Sequence, residues 1–222
     1  QARAASEIWP NIGSLNAAMV DRICEHNISA KFSLRHRLGP EAQFCEGFYV
    51  MPGNSSGHFR SLASIGSEKV HPRSQTAVVW APKTDKRLAE LLSKVSVFSS
   101  LAPVDRILAL RKVVLDQMGG QLGIGSSCSQ PEAAIVKSRL LSNVFPISEP
   151  THGCLVLRAV LFKGFADSVG IPCSIEASYC SCWNVASPQG SPSMFVDLTG
   201  MTEIPLLLPD SPAAILYRTG KW

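Results

Sequence analysis

Residues 153–173 read GCLVLRAVLFKGFADSVGIPC, and they include the most apolar run of the chain. From Cys154 to Val169 the apolar residues recur at helical spacing, which predicts a buried helix. Gly170 and Pro172 end this helix, because glycine favours the position after a helix end and proline cannot continue the helix. One stripe of the predicted helix carries Leu155, Ala159, Phe162, Ala166 and Val169.

Three short apolar stretches follow the predicted helix and have the length and composition of strands. They cover residues 173–178, 181–187 and 194–198, and a Pro- and Gly-containing turn at 188–192 joins the last two. One helix that leads into three short antiparallel strands predicts an α+β unit. We expect Phe162, Ala166 and Trp183 to be buried in its core.

The preceding region of the chain, residues 1–150, is predicted to be rich in helices and loops. Residues 53–76 contain Gly, Ser and charged residues without an apolar period, which predicts a long surface loop. Further helices are predicted at 15–26 and from Thr84, Pro103 and Pro131, with strands at 46–51 and 76–81. The apolar face of the helix from Pro131 is assigned to Ala134, Ile135, Leu140, Leu141 and Val144.

The composition bounds the domain organisation and excludes two classes of protein. The chain has 222 residues, of which 45% are hydrophobic and 17% charged, so it is too apolar to be disordered. The apolar run 155–166 is interrupted by Arg158 and Lys163 and is too short to span a membrane. We expect one domain over 1–222, composed of the helical and loop-rich region 1–150, a core unit 151–205 and a C-terminal tail 206–222.

The net charge of +4 is modest, and the basic residues form two small clusters. These clusters lie at 31–37 and 106–112, and neither contains the interleaved aromatic residues of a nucleic-acid site. We therefore expect no nucleic-acid partner. The face with Arg106, Arg111 and Lys112 and the segment 54–74 are candidate surfaces for protein partners.

The seven cysteines and the absence of a signal-peptide pattern favour a reducing, cytosolic setting. The chain starts at Gln1 without Met, which favours an excised domain. Cys180 and Cys182 are separated by one residue. Structural zinc sites usually have about two to four residues between the ligands of a pair and need a second ligand pair. We expect no metal and no cofactor, and a small-ligand or metal module on these two thiols is the weaker alternative.

Several motifs together carry a resemblance to a known family. They are the pattern over 153–173, the sequences Trp183-Asn184-Val185 and Phe195-Val196-Asp197-Leu198, and three weaker upstream matches. The upstream matches are Glu46-Gly47-Phe48-Tyr49, Asp85-x-x-Leu88-x-x-Leu91 and Met118-Gly119-Gly120. With these residues the chain resembles the amino-terminal regulatory domain of plant Raf-like protein kinases of the constitutive-triple-response and enhanced-disease-resistance type. The resemblance is strongest over 150–205, and residues 16–44 fit it poorly.

The resemblance implies a papain-like or transglutaminase-like α+β fold with a helical part and a small antiparallel sheet. Thiol hydrolases of this kind need a Cys at the start of the buried helix, a His base and an orienting Asp. The corresponding positions here are Leu155, Ser181 and Asp197. Leucine is not a nucleophile and serine cannot accept a proton at neutral pH, so the resemblance implies a degenerate triad without catalysis.

An active thiol enzyme that uses Cys154 remains the alternative. It would need a shifted register, because one residue turns a helix by about 100°. It would also need a base from upstream, such as His152 or His71, because all five histidines precede Cys154. In this alternative the chain is a cysteine peptidase or a transglutaminase-like enzyme.

The resemblance also implies partners and a location. They are ethylene-receptor-type histidine kinases and the chain's own kinase domain, with self-association as a further expectation. The chain itself contains no kinase signature. The implied role lies in ethylene or abscisic acid and stress signalling, and the implied location is the cytoplasm, with recruitment to the endoplasmic reticulum membrane through receptors and no direct membrane insertion.

Overall fold

The computed structural model describes residues 38–44, 46–51, 62–72, 74–122, 131–177 and 181–219. The helix predicted at 15–26 lies outside these residues. By their contacts, the described residues form two compact units. The first lies within Cys45–Leu88 and Gln130–Glu149, and the second within Ser33–Phe44, Ala89–Ser129 and Pro150–Trp222.

The described residues contain six α-helices, one 3₁₀ helix and seven strands. The helices are α1 Leu62–Ser67, α2 Lys86–Ser96, the 3₁₀ helix Val97–Ser100, α3 Pro103–Gln117, α4 Pro131–Leu140, α5 Leu155–Ser168 and α6 Pro212–Thr219. The strands are β1 Gly47–Met51, β2 Thr76–Trp80, β3 Val144–Pro146, β4 Cys173–Ala177, β5 Cys182–Ala186, β6 Met194–Val196 and β7 Leu206–Leu207.

The first unit is built on a three-stranded sheet with the strand order β1-β2-β3. β1 and β2 pair in antiparallel fashion, whereas β2 and β3 pair in parallel. Its apolar core comprises Phe48, Ile65, Ala77 and Val79. Ile65 lies on α1, so the prediction of a loop throughout 53–76 is wrong for Leu62–Ser67. A helix of six residues is too short to give a recognisable apolar period in the sequence.

The apolar face predicted for α4 is also wrong. Ile135 and Leu141 are 68% and 70% exposed, and the buried positions of the helix include Ala133, Val136 and the charged residue Lys137. The left-handed conformation of Leu141, with φ of 50°, follows the end of the helix. As a result, Val144 is not a helical residue but begins β3.

The second unit packs α5 against an antiparallel sheet with the order β4-β5-β6-β7. All twelve residues from Leu155 to Ala166 are buried, because α3, β4 and β5 each contact this helix. The predicted helix is confirmed, although its buried surface is much wider than one stripe. Phe162, Ala166 and Trp183 are buried as predicted, at 0%, 0% and 6% exposure.

The three predicted strands of this sheet are confirmed as β4, β5 and β6. The C-terminal tail adds the edge strand β7, which pairs with β6 through Phe195–Leu207 and Val196–Leu206. It also adds the helix α6. The prediction of an α+β fold is therefore confirmed, with one more strand in this sheet than the sequence indicated.

Candidate functional site

The three positions of the predicted degenerate triad lie on segments that meet at one end of the strands of the second sheet. Ser181 directly precedes β5 and Asp197 directly follows β6, and these strands are antiparallel. Leu155 begins α5, and Arg158 in the first turn of that helix donates a hydrogen bond to the Leu198 carbonyl at 2.8 Å. Leu155, Ser181 and Asp197 are 1%, 2% and 0% exposed, so each is closed off from solvent.

The Asp197 carboxylate is bound on both oxygens. Oδ1 accepts hydrogen bonds from the Thr199 backbone N–H at 2.8 Å and from the Thr199 hydroxyl at 2.5 Å. Oδ2 accepts from the Thr202 hydroxyl at 2.9 Å and from Arg111 Nη2 at 3.1 Å. These contacts are those of a carboxylate that stabilises the turn after β6 and pairs with an arginine of α3.

Arg158 is a fully buried arginine that joins three segments at this end of the sheet, namely the start of α5, the turn after α3 and the segment after β6. Its guanidinium donates to the carbonyls of Gly153, Met118, Gly120 and Leu198 at 2.7–2.8 Å. The sequence pattern predicted no role for Arg158. The signal that could have found it is a charged residue inside the most apolar run, because a buried charge requires fixed hydrogen-bond partners.

Two glycines of the quoted motifs allow close packing beside Arg158. Gly119 has a left-handed φ of 82°, and a Cβ on it would collide with the ring of His152. A Cβ on Gly153 would collide with the sulfur of Met118, and the Gly153 N–H donates to the Met118 carbonyl at 3.2 Å. The turn after α3 therefore fits directly against the start of α5.

Cys154, the alternative nucleophile, is the N-cap residue of α5 and is 2% exposed. His152 is exposed, and its Nδ1 lies 3.3 Å from the Thr151 hydroxyl. His71 is also exposed and belongs to the first unit. His26, His36 and His58 lie outside the described residues. The Cys154 thiol is therefore buried, whereas His152 and His71 are both on the surface.

A family model described as EDR1/CTR1/ARMC3, peptidase-like, matches residues 25–201. This chain belongs to the EDR1/CTR1/ARMC3 peptidase-like family. The resemblance found over 150–205 is thereby confirmed for this domain. The match also covers 25–44, which is part of the segment 16–44 that was predicted to fit the family poorly.

Among curated proteins, the peptidase-like domain is similar to armadillo repeat-containing protein 3 of Homo sapiens. The two are 31% identical over 113 residues, which are 47% of this chain and 13% of the human protein. The chain thus corresponds to a small part of that relative. No solved structure is significantly similar to this chain.

A second charged pair, of the buried Lys163 and the half-buried Asp167, supports the other side of α5 in the peptidase-like domain. Lys163 Nζ donates to Asp167 Oδ1 at 2.7 Å, and the Phe44 N–H donates to Asp167 Oδ2 at 2.8 Å. Burial raises the pKa of Asp167, and the contacts with Lys163 and Phe44 oppose that rise. This carboxylate attaches the segment 38–44 to the core helix.

The thiol of Cys173, on β4, lies close to that charged pair. Burial raises the pKa of Cys173 to about 12, while Lys163 and the Asn184 side-chain amide act in the opposite direction. Asn184 Nδ2 lies 3.6 Å from the sulfur and also donates to the Ala159 carbonyl of α5 at 3.2 Å. A thiol with such a pKa stays protonated at neutral pH and is an inert core residue.

Within the described ranges, no group of three or more His, Cys, Asp or Glu side chains could hold a metal ion. Cys182 is buried in β5, and Cys180 lies outside the described residues. The alternative of a module on this pair therefore stays untested. In the portion of the chain that the structure describes, no helix is both long and apolar enough to cross a membrane.

The candidate basic face on α3 is largely occupied by contacts within the domain. Arg106 donates to the carbonyls of Ser99, Leu101 and Val169 at 2.6–2.9 Å. Arg111 donates hydrogen bonds to both the backbone carbonyl and the carboxylate of Asp197. Two of the three basic residues thus stabilise the fold, which weakens the prediction that this face binds a partner.

The first unit of the peptidase-like domain contains a buried lysine of its own. Lys137 is 1% exposed and donates to the Ser74 carbonyl at 2.8 Å and to the Ser74 hydroxyl at 3.0 Å. The Ser74 hydroxyl lies 2.6 Å from Asn143 Oδ1. Burial lowers the pKa of Lys137, and the charge of Glu68 partly offsets this.

Lys137 predicts a pH dependence of stability. Below its folded-state pKa the lysine is protonated in both states, and the folded state bears the full cost of burying the charge. Between that pKa and about 10.5 the unfolded chain binds more protons, so the contribution of Lys137 to the free energy of unfolding rises with pH.

We therefore expect Lys137→Met to remove part of the rise in unfolding free energy as pH increases towards 10.5. Urea titrations of the wild type and the variant at a series of pH values measure this difference. Lys94→Met, on the exposed face of α2, is the matched control and leaves the pH profile unchanged. Parallel profiles for wild type and Lys137→Met would contradict the prediction.

Proposed function

We propose that this chain is a non-catalytic regulatory and protein-interaction domain of a plant Raf-like MAP kinase kinase kinase. In this proposal, a degenerate thiol-hydrolase fold links receptor histidine kinases to hormone and stress signalling. The observation that carries the proposal is the chemistry at the three triad positions, Leu155, Ser181 and Asp197. They lie on segments that meet at one end of the sheet, and all three are buried.

The side chains at these positions lack the chemistry of acyl transfer. Leu155 offers no nucleophile, and the Ser181 hydroxyl is not a base at neutral pH. Asp197 is the acid that would orient a base, but its two oxygens accept from Thr199, Thr202 and Arg111. These contacts support a structural carboxylate in place of a catalytic one.

The link to a kinase rests on the resemblance to the amino-terminal domains of Raf-like kinases. The family also includes a human armadillo repeat protein, so membership of the family does not by itself imply an attached kinase. The kinase is therefore part of the proposal. The proposed partners are the chain's own kinase domain and ethylene-receptor-type histidine kinases, with self-association as a further proposed contact of the same fold. The proposed location is the cytoplasm, with recruitment to the endoplasmic reticulum through a receptor.

A pull-down with the purified cytosolic part of an ethylene-receptor histidine kinase tests the partner. We expect the chain to bind it, and we expect the isolated kinase domain of the same Raf-like protein to bind as well. The similar region of armadillo repeat-containing protein 3 is a comparison domain of the same family for this pull-down. Failure of both partners to bind the folded chain would overturn the proposed function.

One observation favours an active enzyme as the second candidate. Cys154 is the N-cap residue of α5, where the helix dipole stabilises a thiolate. Against it, the thiol is 2% exposed and the nearby His152 is exposed. A protein substrate could not reach the sulfur unless the start of α5 moved.

We therefore expect no turnover above background in peptidase or amine-incorporation assays with the wild-type chain, because neither a nucleophile nor a base is presented. Cys154→Ser should give the same background rate. Cys173→Ser, which alters a buried thiol elsewhere in the domain, is the control. A rate that is present in wild type and Cys173→Ser but lost in Cys154→Ser would establish the enzyme and overturn the non-catalytic assignment.

A further inference from the structure

α6 lies outside the residues that the family model matches, which end at 201. It contains eight residues, Pro212–Thr219, and the segment 208–211 joins it to β7. The helix packs on an aromatic face of β5 and β6 formed by Trp183 and Phe195, whose rings stack at a centroid distance of 6.1 Å. α6 is therefore an addition to the matched domain that covers part of its sheet.

Three contacts attach α6 to this face. The Tyr217 ring meets Phe195 edge to face at 4.6 Å, and the Tyr217 hydroxyl accepts a hydrogen bond from the Leu198 N–H at 3.2 Å. The Arg218 guanidinium lies 5.7 Å from the centre of the Trp183 ring, within the range of a cation–π contact. Each contact involves either Tyr217 or the adjacent Arg218.

The attachment is confined to one side of a short helix. Ala214 and Tyr217 are its only buried residues, whereas Ile215 and Leu216 are 50% and 48% exposed. A helix of eight residues is unstable alone in water, so α6 persists only while it is docked. With so few anchoring residues, local release costs less than unfolding of the core built on α5.

Release of α6 would leave two large aromatic side chains exposed. Trp183 and Phe195 are 6% and 0% exposed with the helix in place. Exposed contiguous apolar surface of this kind is typical of a site that binds another protein segment. The Leu198 N–H would also lose its acceptor, and an unpaired backbone donor favours a ligand that replaces it.

We propose that α6 is a detachable cover of a docking surface formed by Trp183, Phe195 and the Leu198 N–H. The surface takes a short amphipathic helix that carries a tyrosine followed by an arginine, and α6 is the intramolecular example of that ligand. The tyrosine fills the aromatic face and accepts from Leu198, and the arginine lies over Trp183. This assignment does not depend on whether the chain is joined to a kinase.

Hydrogen exchange of the full chain tests the release of α6. We expect the amides of α6 to exchange at least about 100-fold faster than those of α5, as a locally opening segment does. Tyr217→Phe keeps the ring and removes the acceptor for Leu198, and it should raise exchange in α6 about 5-fold. Ile215→Ala, on the exposed side of the helix, is the control for a change outside the docking contacts. Equal exchange in α6 and α5 would overturn the proposal.

Binding in trans tests the docking surface itself. The probe is a fluorescent peptide of residues 210–222, added to the 222-residue chain that carries Tyr217→Ala or Arg218→Ala, in which the cover is weakened. We expect both variants to bind it about 10-fold more tightly than the wild type, because less of the surface is occupied in cis. The same peptide with Tyr217→Ala should not bind. Equal binding of the two peptides would overturn the proposal, and unchanged exchange in α5 shows that each variant is folded.

Discussion

Replacing Arg158 with Met lowers the free energy of unfolding by about 3–5 kcal/mol. Arg158 is 1% exposed, and its guanidinium donates to the carbonyls of Gly153, Met118, Gly120 and Leu198. Met fills a similar length but donates no hydrogen bond, so these buried acceptors lose a charged donor. The start of α5, the turn after α3 and the segment after β6 lose their common link.

Urea denaturation of the purified chain, followed by circular dichroism, measures the loss. Arg139→Met is the matched control, because Arg139 is about half exposed and its contact with Glu149 lies at the surface. Exposed ion pairs contribute about 0–1 kcal/mol, and we expect the control to stay within that range. Equal losses for the two variants would contradict the structural role of Arg158.

Asp197→Ala produces the second large effect, again about 3–5 kcal/mol of lost stability. The substitution removes the acceptor of Thr199 and Thr202 and leaves Arg111, whose side chain is 16% exposed, without its carboxylate. Asp197→Asn keeps the shape and one oxygen, so we expect a smaller loss. We therefore expect stability to decrease in the order wild type, Asp197→Asn, Asp197→Ala. This order follows from the hydrogen bonds of the carboxylate and does not follow from any catalytic role.

Thermal and urea unfolding of the three proteins measure this order. Asp116→Ala is the control, because Asp116 pairs with Lys112 at an exposed position of the same helix that carries Arg111. The result that would contradict the structural assignment is a fully stable Asp197→Ala chain. Such a chain would mean that the carboxylate is held in place for something other than the fold.

The sequence was sufficient to predict α5 and strands β4 to β6. Their apolar runs are long enough to show a period, and Gly170 and Pro172 interrupt them clearly. The other sheet was harder, because β3 has only three residues and pairs in parallel with a strand far away in the chain. Pairing at such a distance is decided by tertiary contacts and leaves little local pattern.

Apolar patterns in the sequence do not predict which charged residues are buried. Lys137 lies on the buried face of α4, so an apolar pattern assigned that helix the wrong face. Arg158 and Lys163 interrupt the apolar run of the sequence, yet both are buried with fixed hydrogen-bond partners. Alignment to a family motif could identify Leu155, Ser181 and Asp197 as positions of interest. It could not show that Arg111 and two threonines bind the aspartate.

The reactivity of Cys154 tests the central claim, that this peptidase-like domain is non-catalytic, most directly. The native chain is treated with iodoacetamide at neutral pH, and mass spectrometry gives the rate of alkylation at Cys154, with the urea-unfolded chain as the reference. We predict that native Cys154 is alkylated more slowly than in the unfolded chain, because the thiol is buried at the start of α5. Alkylation faster than in the unfolded chain would reveal an activated thiolate and contradict the account.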